Sequence, residues 1–391
     1  MLVAVCGKSN TGKTTFFSAA TLVDAEISNR IFTTIKPNRG VSYVRVECPC
    51  RKAGVKCNPQ NSKCVDGMRF IPVKLIDIAG LVPGAHKGKG LGNRFLSDIM
   101  EADALIHVID ISGGTDNDGN PVDPGSHDPM HDVQFFEEEI DYWILGILRK
   151  SWPQLSMKMK QKKEKPEIIL HNQLSGLGLT VDDVKDALLD TPVAPESGDK
   201  ELLDFTENLR KRSKPIIIAA NKADVPGADK NYEHLKEVGV NLIPTSAESE
   251  LALRRAAEKG LLKYSPGDGD FEITGDVEEK QKKGLEFLRK SVLEKWGTTG
   301  VQKVIDEAVF RLLDMIVVYP VANIGKMTDQ KGNVLPDAHL VRKGTTLKEL
   351  AAKVHTSMAD KFLGGMNRER RKLGADYVLQ DGDVVEILLK G

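Results

Sequence analysis

The first residues able to do chemistry form a glycine-rich run near the start of the chain. Residues 7–14 read GKSNTGKT and fit the pattern G-x-x-x-x-G-K-[ST], directly after the apolar run Leu2–Cys6. Backbone N–H groups of such a loop, with the start of the helix that follows, point at phosphate oxygens. Lys13 would reach the β- and γ-phosphates, and the Thr14 hydroxyl would bind Mg²⁺. The pattern therefore predicts a nucleoside-triphosphate site. Its nucleotide-contacting residues are Gly7, Asn10, Thr11, Gly12, Lys13, Thr14 and Thr15.

A second set of candidate residues ends an apolar strand. Residues 77–80 (DIAG) follow residues 73–76 (VKLI), and a carboxylate in that place lies at the carboxyl edge of the sheet, where nucleotides bind. Asp77 is then positioned to hold Mg²⁺ through water, and the Gly80 amide to meet a γ-phosphate. D-x-x-G alone is a weak signal that also fits an ordinary turn at a strand end. It indicates a nucleotide site here only because the phosphate loop is also present. Residues 86–90 (HKGKG) are expected to form a basic, solvated loop.

A third set of residues is typical of purine selection. Residues 221–224 (NKAD) follow the most apolar strand, and residues 245–247 (TSA) follow the next. The Asp224 carboxylate accepts two hydrogen bonds from guanine N1–H and N2–H₂, donors that adenine lacks. Lys222 is expected over the base, Asn221 between the loops, and the Ala247 amide at guanine O6. The predicted base-binding residues are Asn221, Lys222, Asp224, Ser246 and Ala247.

Four of the five cysteines crowd into one segment, as Cys48, Cys50, Cys57 and Cys64. Four thiolates are able to surround one Zn²⁺ ion tetrahedrally, although the C-x-C spacing is tighter than the usual C-x₂₋₄-C. A redox-active or transient disulfide and unliganded cysteines remain alternatives. Cys6, at the end of the first strand, is expected in the core.

The composition bounds the class of protein. The chain has 391 residues with 55 Lys+Arg against 56 Asp+Glu, a net charge of −1, so nucleic-acid binding would need a local basic surface. At about 150 residues per domain we expect two to three domains. No apolar run approaches the roughly 20 residues of a membrane helix, and the first residues lack the features of a signal peptide. We expect a cytoplasmic protein with no membrane segment, and a monomer is favoured.

Strand-like runs alternate with helical stretches, which is typical of an α/β fold with a mostly parallel sheet and helices on both faces. The exceptions are Gly40–Glu47 and Phe70–Asp77, which have no helical pattern between them and predict an antiparallel pair at the sheet edge, with the cysteines at its tip. The predicted strands are Leu2–Cys6, Gly40–Glu47, Phe70–Asp77, Ala104–Asp110, Pro215–Asn221 and Asn241–Ser246.

About a hundred residues separate the strands ending at Asp110 and starting at Pro215, far more than one crossover helix needs. Their apolar spacing predicts a helical insert, expected to be a hairpin. From residue 317 short strands return around one helix, which predicts a small α+β domain. The expected boundaries are 1–126 and 214–316 for the two parts of the nucleotide domain, 127–213 for the insert and 317–391 for the last domain.

Together these motifs resemble the P-loop GTPases and, within them, the archaeal-type YchF proteins of the Obg-like branch. The resemblance runs nearly end to end. Residues 32–38 (FTTIKPN) match switch I, and residues 77–85 with 90–96 match switch II. The C-terminal part resembles a TGS domain, a ubiquitin-like β-grasp module. Its matching segments are residues 344–351, 354–355 and 379–385.

The resemblance implies roles for particular residues. Thr34, or its neighbour Thr33, becomes the switch I residue that reaches Mg²⁺. Ras-like enzymes carry a water-positioning glutamine where this chain has Leu81, so intrinsic hydrolysis is expected to be slow. In related GTPases an asparagine at the place of Asn10 helps to bind K⁺; here it either does so or only shapes the loop. The implied catalytic residues are Lys13, Asn10, Thr34 and Gly80, and the implied Mg²⁺ ligands are Thr14, Thr34 and Asp77.

The expected function is a GTP-hydrolysing switch that engages the ribosome or structured RNA. Two basic stretches support such a contact: residues 158–165 (KMKQKKEK), and Arg368, Arg370, Arg371 and Lys372. For residues 158–165 a solvated helix face is the alternative interpretation. Some YchF-type relatives depart from N-K-x-D and prefer ATP, but this chain keeps the motif. The alternatives are an ATP-preferring hydrolase and a nucleotide-stabilised module for a protein partner or stress response with negligible turnover. An enzyme of nucleotide metabolism ranks last, because no further acid–base or nucleophile set is present.

Overall fold

The computed structural model describes residues 1–21, 39–78, 80–81, 84, 86 and 98–390. These divide into two compact units. The first contains residues 1–21, 39–40 and 74–304, with the gaps just given, and the second contains residues 41–73 and 305–390. The predicted boundaries differ from this division, because residues 41–73 cluster with the C-terminal residues rather than with the nucleotide domain.

The first unit is built on parallel strands in the order β4–β1–β5–β6–β7. β4 contributes its second half to this unit. Each strand lies within a few residues of its predicted position, because runs of β-branched residues ended by turn residues mark buried parallel strands. The strands are β1 (Leu2–Cys6), β4 (Met68–Asp77), β5 (Ala104–Asp110), β6 (Ile216–Asn221) and β7 (Leu242–Pro244).

Helices connect these strands and pack on the sheet. A two-stranded ribbon, β8 (Leu262–Lys263) with β9 (Glu272–Ile273), follows them. The helices are α1 (Lys13–Thr21), α3 (Pro129–Gln161), α4 (Pro166–Leu174), α5 (Val181–Asp190), α6 (Asp199–Ser213), α7 (Ala228–Glu237), α8 (Ala247–Glu258), α9 (Glu279–Leu288), α10 (Glu294–Trp296) and α11 (Val301–Asp306), with a π-helical turn at Arg289–Leu293. The division between the units falls within α11, and a second π-helical turn, Glu307–Leu312, belongs to the second unit.

The helical insert differs from the predicted hairpin. It consists of the four helices α3 to α6, because residues 166–174 also form a helix, which begins at a proline at N1, and residues 181–213 form two helices rather than one. Ile140 and Leu148 of α3 share one buried cluster with Ala4 of β1 and Leu105 of β5. The insert is therefore continuous with the core of the sheet, and all four of its helices lie in the connection between β5 and β6.

The second unit holds most of β2 (Arg39–Glu47), α2 (Pro49–Ala53), β3 (Lys63–Val65) and the first half of β4. β2 and β3 both pair with β4, and β3 does so in antiparallel register. The short helix α2 and strand β3 were not predicted between the two longer strands. α2 has five residues and β3 has three, too few to show a helical or alternating pattern in the sequence. The cysteine cluster lies in this connection, as expected.

The C-terminal part of the second unit is a five-stranded mixed sheet in the order β11–β10–β14–β12–β13. The pairing of β10 with β14 is parallel and the others are antiparallel. Its elements are β10 (Met315–Val321), β11 (His339–Arg342), α12 (Leu347–Val354), α13 (Thr356–Asp360), β12 (Phe362–Met366), β13 (Lys372–Leu373) and β14 (Val384–Leu389). A capping box between Thr346 and Glu349 starts α12. Among the described residues, no helix combines the length and apolar character that a membrane crossing needs.

Candidate functional site

The candidate site lies at the carboxyl edge of the parallel sheet, where the register brings several polar strand ends into line. Parallel neighbours end side by side, so motifs far apart in sequence meet there. The paired residues near this edge are Val5 with Asp77, Cys6 with His107, Asp110 with Asn221, and Ala220 with Pro244. All three predicted motifs are thus brought to one edge.

The phosphate loop follows β1 and wraps tightly before α1. Gly12 has φ +93°, and a Cβ at this position would lie 2.3 Å from Asn221 Nδ2, so only glycine fits. Lys13 is buried, and its Nζ donates to Lys8 O at 2.6 Å. Burial lowers the pKa of Lys13, and the Asp77 carboxylate opposes that shift. Lys13 Nζ therefore lies inside the turn of the loop, where it is bonded to a backbone carbonyl.

Thr14 and Asp77, the residues predicted to hold Mg²⁺, lie next to each other. Thr14 Oγ1 donates to Asp77 Oδ2 at 3.3 Å, while Asp77 Oδ1 is buried with no hydrogen-bond partner in the described part of the chain. Burial raises the pKa of Asp77, and the Lys13 ammonium and the Thr14 hydroxyl lower it. An oxygen pair with one orphaned buried carboxylate atom fits a hard divalent cation such as Mg²⁺.

Gly80 lies against the phosphate loop. A Cβ on Gly80 would be 2.9 Å from Ser9 Oγ, 3.2 Å from Ser9 N and 3.5 Å from Lys13 Nζ. The backbone of the D-x-x-G motif thus approaches the loop more closely than any side chain would permit. This position fits an amide that contacts a terminal phosphate.

Asn221 joins the phosphate loop to the base loop. Its Nδ2 donates to Thr11 O at 2.8 Å, and its Oδ1 accepts from Ala247 N at 3.0 Å. Asn221 is buried, so both bonds satisfy groups that water does not reach. The bridging role predicted for Asn221 corresponds to these contacts.

The other base-motif residues carry internal bonds. Asp224 Oδ1 accepts from Ser246 Oγ at 2.7 Å, which orients the carboxylate. Lys222 Nζ lies 2.7 Å from Asp110 Oδ2, a buried carboxylate that the sequence analysis did not single out. Ala247 N is bonded to Asn221 rather than free for guanine O6. Lys222 and Ala247 are therefore engaged within the chain, and the contacts predicted between them and a base would have to share or replace these bonds.

Lys8 has a structural rather than a phosphate-binding position. Its Nζ donates to Thr115 O at 2.9 Å and Asp116 O at 2.7 Å, and it pairs with Asp132 Oδ1 at 2.6 Å. His127 Nε2 lies 2.9 Å from the same carboxylate oxygen. Lys8 and Asp132 are both buried. These bonds attach the phosphate loop to the polar loop after β5, a contact that no local sequence pattern signals.

Asn10 is held by the same polar loop. It has φ +60°, and its Nδ2 donates to Gly119 O at 2.8 Å. A Cβ on Gly119 would lie 2.9 Å from Ser9 O, so the two loops are in close contact. Asn10 therefore shapes the loop, and its amide oxygen is the atom with which it would reach a cation.

Glu139 of α3 anchors the segment after D-x-x-G. Its carboxylate accepts from Gly84 N at 2.7 Å and His86 N at 2.9 Å, and lies 2.7 Å from His86 Nδ1. The predicted solvated loop is thus tied down at His86. Leu81 is buried in the core around Phe136, and its N–H donates to Gly7 O at 3.1 Å. Leu81 is therefore not placed to orient water.

His107 lies beneath the phosphate loop and was also missed. It is buried, its ring stacks on Phe136 at 4.1 Å, and its Cδ2 lies 3.4 Å from a Cβ built on Gly7. Burial, aided by the charges of Lys13 and Lys8, lowers the pKa of His107 to about 3. The ring is therefore neutral and acts as a packing support.

Two groups of predicted residues lie outside the described residues. They are Thr33 and Thr34 of switch I, with the rest of residues 22–38, and most of switch II, including residues 87–97. Thr15 lies in the first turn of α1, half-buried beside the exposed Thr14. Cys48, Cys50, Cys57 and Cys64 lie together in the second unit.

Comparison with known families gives three matches along the chain. Residues 2–131 match the family described as 50S ribosome-binding GTPase. Residues 219–323 match the G4 motif-containing domain of YGR210-like Obg-like GTPases, and residues 330–389 match the TGS domain.

Individual relatives cover nearly the whole chain. A protein of Methanocaldococcus jannaschii described as GTP-binding is 49% identical over 99% of this chain and 98% of its own length. A protein of Schizosaccharomyces pombe, also described as GTP-binding, is 38% identical over 93% of this chain and 92% of its own length. Human Obg-like ATPase 1 is 27% identical over 98% and 91%. The crystal structure of a GTP-binding protein from Pyrococcus horikoshii matches with a TM-score of 0.79 and 39% identity, covering 100% of both chains. The S. pombe YchF GTPase shares the fold, with a TM-score of 0.60 and 20% identity over 99% and 97%.

Proposed function

The chain belongs to the YchF-type Obg-like GTPases, a family of GTP-binding proteins, and from this premise we propose that it is a Mg²⁺-dependent switch that hydrolyses GTP to GDP and phosphate. The observation that carries the proposal is the pair of hydrogen bonds made by the Asn221 side chain. They connect the phosphate loop at Thr11 with the base loop at Ala247. One nucleotide would then be bound by its phosphates at the phosphate loop and by its purine at the base loop. We place this activity in the cytoplasm, in a monomer.

Guanine is the proposed base because Asp224 supplies two acceptor oxygens. Adenine would leave that carboxylate without donors, at a cost of about 1–3 kcal/mol or more. Human Obg-like ATPase 1, by its name, acts on ATP, so an ATP preference is the rival outcome. Calorimetric binding of ATP as tight as that of GTP would contradict the guanine assignment.

Hydrolysis is proposed to proceed by attack of water on the γ-phosphorus. Mg²⁺, when bound by Thr14, Asp77 and Thr34, neutralises phosphate charge. Lys13 stabilises charge that develops between the β- and γ-phosphates, and the Gly80 amide holds the γ-phosphate. Since Leu81 lies in the core, no side chain at that position orients water, and slow intrinsic turnover follows.

K⁺ is proposed as a second cation, held in part by the amide oxygen of Asn10 in place of an arginine finger. We expect GTP turnover to be several-fold faster in KCl than in NaCl of equal ionic strength, because a cation at this place offsets transition-state charge. Asn10→Ala should remove the difference. Equal rates of the unchanged protein in the two salts would contradict the K⁺ proposal and leave Asn10 a loop-shaping residue.

The proposed partner is the ribosome or another structured RNA. The five lysines of residues 158–165, at the end of α3, are all exposed, as are Arg368, Arg370, Arg371 and Lys372 around the turn between β12 and β13. Only Lys160 has an ion pair among these lysines in the described part of the chain, with Glu196 at 3.5 Å. Exposed basic groups that are mostly not engaged in ion pairs are suited to phosphate contacts.

We expect the chain to co-sediment with ribosomes more strongly with a GTP analogue than with GDP or no nucleotide. Replacing Lys160, Lys162 and Lys163 by Gln should weaken this association and reduce its salt dependence, because each phosphate contact releases counterions. The matched control replaces Lys280, Lys282 and Lys283, three exposed lysines of α9.

The result that would contradict this proposal is sedimentation that is independent of nucleotide, or equally weakened by both triple variants. If the chain also shows no GTP hydrolysis with ribosomes and K⁺ present, the rival interpretation, a nucleotide-stabilised module for a protein partner, is favoured. Measured GTP binding without turnover would identify that case.

A further inference from the structure

The four clustered cysteines of the second unit form a compact sulfur site. The Sγ atoms of Cys48, Cys50, Cys57 and Cys64 all lie within 4.8 Å of one another. Cys48 Sγ is 4.0 Å from Cys57 Sγ, and Cys50 Sγ is 3.8 Å from Cys64 Sγ. All four thiols are free, and the first two are buried. Four sulfurs have therefore converged from segments that span 17 residues of chain.

These separations match those of a tetrahedral metal site. Zn–S bonds of about 2.3 Å place sulfurs at the corners of a tetrahedron whose edges are about 3.8 Å. Two disulfides would instead join the sulfurs in two separate pairs at about 2.05 Å. An arrangement in which each sulfur approaches all three others favours a central ion over two covalent pairs.

The backbone fixes these positions through bonds that involve no sulfur. Cys48 N donates to Gly67 O at 2.8 Å, and Cys50 O accepts from Val55 N at 3.1 Å around the short helix α2. Cys64 pairs in register with Arg69 between β3 and β4. The ligands are thus set by a helical turn and a hairpin, although the C-x-C spacing is shorter than the usual one.

Arg69 supplies a counter-charge beside the cluster. Four thiolates around a divalent ion carry two net negative charges, which need a compensating cation when partly buried. Arg69 is fully buried; its Nη1 lies 3.7 Å from Cys57 Sγ, and its Nη2 donates to Leu335 O at 2.7 Å. A buried guanidinium at this place is accounted for by an anionic metal–thiolate centre.

Residues 51–63, which surround the cluster, have few buried side chains to stabilise their fold. Of residues 51–63, only Ser62 is buried, and the adjacent apolar cluster has just Val41, Tyr43 and Phe70 as buried members. The segment instead bonds through polar groups to residues 333–338. Those contacts are Asn58 N to Val334 O at 2.8 Å, Gln60 N to Pro336 O at 2.7 Å and Ala338 N to Asn61 Oδ1 at 3.0 Å. Small segments without an apolar core are commonly stapled by a structural metal.

We propose that Cys48, Cys50, Cys57 and Cys64 bind one Zn²⁺ ion in a closed structural site that fixes residues 48–67 against residues 333–338. All four positions of the ion are filled by protein sulfur, so the site leaves no place for substrate and serves folding rather than catalysis. This inference is independent of the nucleotide site.

The first test is the metal content of the full-length protein, purified with reductant and without chelators. Elemental analysis should give one zinc per chain, and Cys57→Ser and Cys64→Ser should each lose it. Cys6→Ala is the matched control, because Cys6 is a buried free thiol of the first unit and should leave the zinc content unchanged. Iron in place of zinc, or disulfides found by mass spectrometry, would overturn the proposal.

The second test needs no variant and so does not depend on a mutant folding. Co²⁺ exchanged into the wild-type chain should give the intense visible bands of a tetrahedral thiolate site, with a near-ultraviolet charge-transfer band, and Zn²⁺ should bleach them. Removal of zinc by a chelator should raise hydrogen exchange in residues 51–64 and 333–338 and lower the melting temperature. Absence of cobalt bands from fully reduced protein, or unchanged exchange after metal removal, would contradict the site.

Discussion

Asp224→Asn is expected to change the base preference of the site from guanine to xanthine. A carboxylate accepts from both guanine N1–H and N2–H₂, whereas an amide keeps one acceptor and turns an N–H₂ donor toward the other. The mismatched contact costs about 1.5–3 kcal/mol, which lowers GTP affinity about 10- to 100-fold. Xanthine has a carbonyl at C2, so the new amide donates to it and xanthosine triphosphate should bind more tightly than GTP.

The exchange should leave the fold intact. Asp224 is only half-buried, and its carboxylate accepts a hydrogen bond from Ser246 Oγ at 2.7 Å, which an amide oxygen is also able to accept. Isothermal calorimetry with GTP, xanthosine triphosphate and ATP measures the effect, with a urea titration to compare stabilities. Asp204→Asn, at an exposed carboxylate of α6, is the matched control and should bind GTP as before. If Asp224→Asn also binds GTP normally, the carboxylate does not read the base.

Much of the candidate site could be predicted because its motifs are short stretches of consecutive residues. A glycine-rich turn after a buried strand, a carboxylate at a strand end and N-K-x-D after the next strand are each determined by a few neighbouring residues. Parallel pairing then brings Asp77, Asp110 and Asn221 to one edge without further information. The TGS domain was recognisable from short segments too, residues 344–351, 354–355 and 379–385. The structure adds that its helix begins at a capping box of Thr346 and Glu349.

What could not be predicted depends on contacts between distant segments. Asn10 meets Gly119 and Lys8 meets Asp132, more than a hundred residues away in each case. Glu139 is one of several acidic residues of α3, and nothing in the sequence signals that it accepts a hydrogen bond from the backbone after D-x-x-G. These side chains have no spacing signal, because their partners are chosen by how two loops pack and not by periodicity.

The two lysines of the phosphate loop should therefore respond in opposite ways when replaced by methionine. Lys13→Met removes the amine whose Nζ lies near Lys8 O and the Gly80 backbone. Loss of one preorganised donor to a developing charge costs about 10²–10³ in turnover. Folding stability should hold or rise slightly, because burial already penalises the Lys13 ammonium, as its lowered pKa reflects.

Lys8→Met should do the reverse. It leaves the buried Asp132 carboxylate without its cation, and breaking a buried pair costs about 3–5 kcal/mol; His127, 2.9 Å from the same oxygen, limits this loss. The denaturation midpoint in urea should fall clearly, while turnover per folded molecule should fall far less than in Lys13→Met. Steady-state GTP hydrolysis and urea titrations of both variants, side by side, separate the two roles. If both variants lose turnover equally and have equal folding stability, Lys8 also acts on the phosphates. The structural role assigned to Lys8 from its bonds to Thr115 and Asp116 would then be wrong.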